Sequence, residues 1–197
     1  MDENALFTLA FRDDAVGILD ATKAGADPNA IHPRGGHTPL QVACQEGAEH
    51  AVDALLSAGA DPNLRFTWVS RVDGRTMPNR VALMYAASKS IVVKLVSAGA
   101  MLDVADSSGW TPLACSINAI CVGAFQGLLD AGANPAVTIQ LNGRQASLVD
   151  LVSERSERIQ ELAGARPNPK ATQMMAELAQ IRSMLLSRGI AALHPRG

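Results

Sequence analysis

The chain has 197 residues, 48% of them hydrophobic, 18% charged and 4% aromatic, with a formal net charge of −2. That apolar content excludes a disordered chain, and the near-neutral balance excludes a global basic field for nucleic acid or anionic lipid. No apolar run approaches the roughly 18–20 residues that a bilayer-spanning helix needs. The start, Met1-Asp2-Glu3-Asn4, is acidic where a secretory leader would be basic. Cys44, Cys115 and Cys121 are too few for a disulfide framework, so reduced thiols and a cytoplasmic setting are expected.

Along the chain, Ala24-Gly25-Ala26-Asp27, Ala58-Gly59-Ala60-Asp61, Ala98-Gly99-Ala100-Met101 and Ala131-Gly132-Ala133-Asn134 recur at intervals of 34, 40 and 33 residues. A second landmark, Thr38-Pro39-Leu40 and Thr111-Pro112-Leu113, stands 20 residues before the next Ala-Gly-Ala. Val81-Ala82-Leu83 holds that place in the middle unit, three residues too close to its stop and nine too far from the unit before. Asn4-Ala5-Leu6 is a degenerate first copy, and a fifth begins near Ala146-Ser147-Leu148.

Thr before Pro reads as a helix start, because the hydroxyl caps free N–H groups and Pro fits the first helical position. The Gly of Ala-Gly-Ala reads as a helix stop in the left-handed conformation. Between them lie two short apolar stripes at helical spacing, and Asp-Pro-Asn after the stop is turn chemistry. Each unit is therefore helix, tight turn, helix, then a turn-rich hairpin. The stretches 36–44 and 55–63, and again 109–113 with 128–134, resemble the ankyrin-repeat family.

That resemblance implies an all-α ankyrin-repeat solenoid of about five helix-turn-helix units with short β-hairpin connections. The units are placed at about 4–35, 36–70, 80–105, 109–140 and 146–189, all in one domain. The family's His after Thr-Pro-Leu is replaced by Gln41, Met84 and Ala114, which implies somewhat lower stability per repeat. The fifth unit has lengthened helices and reads as a C-terminal capping pair, with a dimerisation surface as the alternative. Leu148, Leu151, Val152, Ile159 and Leu162 are expected on the inner face of its first helix. Glu154, Arg155, Glu157, Arg158 and Glu161 are expected on a solvated face, with Glu154 and Arg158 as an i,i+4 pair.

No catalytic constellation emerges. His32 and His37 flank a Pro-Arg-Gly-Gly turn and read as exposed hairpin residues, and no Cys-His grouping offers four zinc ligands. No cofactor, no metal and no enzymatic activity are expected. The resemblance implies instead a non-catalytic module that holds or inhibits a protein partner, as a monomer or weak dimer. An immunity-type inhibitor or effector of a bacterium, a nucleic-acid-binding insert and a small-ligand groove remain as alternatives.

By the family's pattern, contacts fall on His37, Gln45, Glu46, Lys89, Trp110 and Asn118. Trp110 either packs on the adjacent finger or anchors a partner, and Tyr85 is expected to pack in the core. The nine-residue gain lies in 64–80, where Arg65, Arg71, Arg75 and Arg80 against Asp73 give a local charge of +3. It reads as an extended hairpin turning at Asp73-Gly74. Arg65, Phe66, Trp68, Arg71 and Arg75 of that hairpin are the sharpest partner-binding candidates, for a partner with an acidic patch.

Overall fold

The structure is a computed structural model that describes residues 4–69, 74, 76–164 and 168–193. Helices come in pairs: α1 (Ala5–Phe11) with α2 (Ala15–Lys23), α3 (Pro39–Glu46) with α4 (Glu49–Ser57), α6 (Pro112–Asn118) with α7 (Val122–Asp130), and α8 (Leu148–Ala163) with α9 (Pro169–Leu186). In the third repeat a single 3-10 turn, Ala82–Tyr85, precedes α5 (Lys89–Ser97). First helices stack in one row, α1 on α3, α3 on the 3-10 turn, and that turn on α6, which meets α8. The second helices α2, α4, α5, α7 and α9 stack in a parallel row. The core lies between the rows and includes the fully buried Ile18, Leu40, Leu55, Leu83, Ile91, Leu95, Leu113 and Leu128.

The helix starts follow from local chemistry. Thr38 Oγ1 accepts from Gln41 N at 3.1 Å and Thr111 Oγ1 from Ala114 N at 3.4 Å, each with Pro in the first turn. At each Ala-Gly-Ala the glycine has φ between +88° and +97°. The following Ala N–H bonds back five residues, as from Ala60 to Leu55 at 2.9 Å and from Ala100 to Leu95 at 2.9 Å, which closes the helix end. A Cβ on Gly59, Gly99 or Gly132 would touch nothing within 4 Å, so the residue is required by its φ and not by space.

Neighbouring repeats are tied by side chains reaching the next backbone. Asn29 donates to Gly59 O at 3.0 Å and accepts from Asp61 N at 2.7 Å; Asn63 does the same with Gly99 O and Met101 N at 2.9 and 2.8 Å. Asp103 accepts from Asn134 N at 3.0 Å. Asp13, at φ +57°, accepts from Ala51 N at 2.7 Å and contacts His50 Nδ1 at 2.7 Å. It thereby supplies α4 with the cap that its own Ala48 lacks.

Two hairpins continue the fingers. Strand β1 (Phe66–Val69) pairs with β2 (Thr76–Arg80) across an irregularity between Phe66 and Trp68. Strands β3 (Thr138–Leu141) and β4 (Arg144–Ser147) pair in regular register around Asn142-Gly143, whose φ values of +52° and +79° suit a tight hairpin turn. Each hairpin leans on the preceding fingertip. A Cβ on Gly36 would fall 1.9 Å from the Thr67 carbonyl oxygen, and Gln140 N donates to Ser108 O at 3.1 Å.

Three expectations are corrected. His32 and His37 are half-buried and stacked at 4.6 Å, each edge-on to Phe7, because aromatic faces hide better against one another than in water. Leu162 is 80% exposed, since α8 outruns the row it packs on. Glu154 turns from Arg158 to Asn142, whose Nδ2 donates to it at 2.9 Å, and the face expected to be solvated is half-buried from Glu154 to Glu157.

Candidate functional site: a groove between the third and fifth repeats

The position of Trp110 is built from its own fingertip. Asp106 N donates to Trp110 O at 3.0 Å, and Asp106 Oδ1 accepts from Ser108 N and Trp110 N at 2.8 and 2.9 Å. Asp106 is held in turn by Arg80, the last residue of β2. The Nε–Oδ2 distance is 3.3 Å, an ion contact without hydrogen-bond alignment, and the two side chains are 10% and 5% exposed.

The rest of the Arg80 guanidinium is surrounded by sulfur. Nη1 donates to Cys115 Sγ at 2.9 Å and Nη2 to Met77 Sδ at 3.0 Å. Burial pushes the Cys115 thiol up to about 11 although the Arg80 charge opposes it, so the thiol stays neutral and accepts. Arg80 is thus a clamp from the inserted hairpin to the fourth repeat and not a free surface cation.

Beside this clamp lies a groove of about 540 Å³. Met84, Tyr85 and Cys115 line it, with Trp110 and Asn118 of the fourth repeat and Met77 of the hairpin. Leu151, Glu154, Arg155 and Arg158 of α8 form the facing wall, at i, i+3, i+4 and i+7. Arg155 Nη2 donates at 3.0 Å to Asn118 O, the last carbonyl of α6, while its Nε is buried without a partner. Burial and the neighbouring Arg158 charge lower the Arg155 pKa from its usual value, with Glu154 offsetting part of this. A second hollow of about 430 Å³ opens over the short 3-10 turn, lined by Gln45, Ala87, Ile120 and Cys121 among others.

The candidates from sequence scatter across these features. Trp110 and Asn118 meet in the groove, and Gln45 lines the second hollow with Glu46 exposed beside it in sequence. Lys89 opens α5 in the second-helix row and pairs with Asp130 at 2.6 Å, away from the groove lining. Arg65 is exposed, but Phe66 is 3% exposed and packs against Tyr85, so its ring is a packing element and not a contact surface. The Trp68 backbone pairs with Met77; Arg71, Arg75 and Asp73 lie outside the described residues. Tyr85, Arg155 and Arg158 were not among those candidates. The signal was available for the two arginines, which share one helical stripe with the buried Leu151.

Among the described residues no three His, Cys, Asp or Glu side chains gather to hold a metal ion, and no described helix is long and apolar enough to cross a membrane. The family model for the ankyrin repeat matches residues 35–65. The chain is 39% identical over 64 residues to 2-5A-dependent ribonuclease of Mus musculus, covering 32% of this chain and 9% of that one. It is 33% identical over 125 residues to ankyrin repeat protein nuc-2 of Neurospora crassa, covering 63% and 11%. The chain spans only about a tenth of the length of these two relatives. Against cyclin-dependent kinase 4 inhibitor B of Mus musculus it is 36% identical over 110 residues, covering 55% of this chain and 77% of that protein. With the paired rows of helices, the glycine stops and the hairpin fingers, these matches show that the chain belongs to the ankyrin-repeat family.

Proposed function

We propose that this chain is a non-catalytic binding module that holds or inhibits a protein partner in the groove between the third and fifth repeats. Ankyrin repeats are protein-interaction modules. The observation that carries the reading is Trp110: half-buried, fixed through its backbone by the buried Arg80–Asp106 contact, and facing an arginine-bearing wall. Tryptophan and arginine are the side chains in which binding energy concentrates. The similarity to a protein named as a kinase inhibitor favours inhibition as the mode of action. Met77 places the inserted hairpin at the edge of this groove, and we extend the contact onto that hairpin through Arg65, Trp68, Arg71 and Arg75.

The test uses the full chain as bait, with partners identified by mass spectrometry and their affinity then measured by calorimetry. Trp110→Ala is expected to weaken binding by about 2 kcal/mol with little change in melting temperature. A partner bound equally well by Trp110→Ala and Asn118→Ala would remove the groove as the site.

A further inference from the structure

Within the groove, the charges do not balance locally. Arg80 is paired with Asp106, which leaves Glu154 as the one other acid of the lining; the neutral Asn142 amide donates to Glu154 without removing its charge. Against it stand Arg155 and Arg158, three residues apart on one face of α8 and both lining the same concavity, so the lining keeps one positive charge in excess. Like charges at that spacing repel, and they repel more where water is partly excluded. Only one guanidinium arm of Arg155 is engaged, on a carbonyl of α6, while its Nε has no partner. Across the groove stand the ring of Trp110 and the half-buried Tyr85. A cationic pair beside an aromatic wall suits an anion followed closely by an apolar group.

We infer that the groove receives an extended segment of the partner in which an Asp or Glu carboxylate sits on Arg155 and Arg158 and an adjacent apolar side chain packs on Trp110. A carboxylate accepts from a guanidinium in the planar two-point fashion that a lone ammonium cannot offer, and it relieves the repulsion between the two arginines. This inference rests on the groove being the protein-binding site, as proposed above.

The test selects random dodecapeptides by display on the full chain. The expected winners carry Asp or Glu next to an aliphatic or aromatic residue. A synthesised winner should lose about tenfold in affinity when its acid becomes Gln, and likewise against Arg158→Glu, with weaker binding as salt rises. Arg158 is exposed, so this variant is expected to keep the wild-type melting temperature. Exchanging the peptide's acid for Lys should restore affinity toward Arg158→Glu. Winners that need Trp110 yet show no acidic preference and ignore Arg158→Glu would overturn the carboxylate and leave the groove. Winners indifferent to both Trp110→Ala and Arg158→Glu would overturn the groove as well.

Discussion

The second and third repeats solve the same folding problem by different means. In the second, Thr38 and Pro39 start an eight-residue helix, and everything needed to begin it lies within four consecutive residues. In the third, Val81 offers no side-chain cap, and only the four-residue 3-10 turn forms before the chain must turn into α5. The third repeat is instead held from outside by Arg80, reaching Asp106 and Cys115 of the next unit. A repeat that has lost its local start can keep its place if a buried long-range contact replaces it. The exchange also opens a hollow over the shortened turn and places a clamp under Trp110.

Removing the clamp is the most severe way to break this contrast. Arg80→Ala leaves the Asp106 carboxylate buried and uncompensated, and should cost about 3–5 kcal/mol in urea unfolding. The Lys94–Asp53 pair, with its aspartate exposed and its lysine half-buried, should cost at most about 1 kcal/mol when cut in the same way. Equal losses from the two would show that Arg80 is not the replacement for a helix start.

A milder pair of variants acts on the caps themselves. Thr38→Ala should lose about 1 kcal/mol by thermal melting. Val81→Thr should gain nothing, because Val81 is 1% exposed and the unit lacks the residues to lengthen its helix. Stabilisation by Val81→Thr would put the cause in the cap and not in chain length.

The smallest effect is a pH dependence at the corner that caps the second repeat from the first. The hydrogen bond with Asp13 raises the His50 pKa above its unfolded value, so this contribution is complete below about 6.5 and fades as pH rises through the folded value. Burial alone would raise the Asp13 pKa, but the bonds from His50 and Ala51 bring it below its usual value. Its share is therefore complete above about 4 and fades as pH falls further. The gap in urea midpoint between wild type and Asp13→Ala should be wider at about pH 6 than at about pH 8. It should persist at the higher pH, since the cap on Ala51 N remains. An unchanged gap would mean that His50 contributes no charge.

The repeat architecture was legible because its punctuation is local: Thr-Pro starts, Gly stops and Asp-Pro-Asn turns each act within a few residues. The third unit's irregularity was legible as a count, but its outcome as a 3-10 turn was not, because Arg80 acts across 26 residues on Asp106. The second hairpin carried a readable sign in Asn142-Gly143. Of the site, Trp110 stood out as a type of side chain, whereas Arg155 and Arg158 share a readable stripe with Leu151 whose meaning comes only from α8 closing the groove. Gln41, in the place of the family's His, is buried with its Oε1 unpartnered, a cost that spacing alone does not disclose.

The finger staples have a direction. Asn29, Asn63 and Asp103 each reach from an earlier repeat to the backbone of the next. On a ribosome delivering about 5–20 residues per second, each repeat therefore emerges seconds before the backbone groups it will hold. The groove, which needs the third, fourth and fifth repeats together, can be completed only after the fifth has emerged.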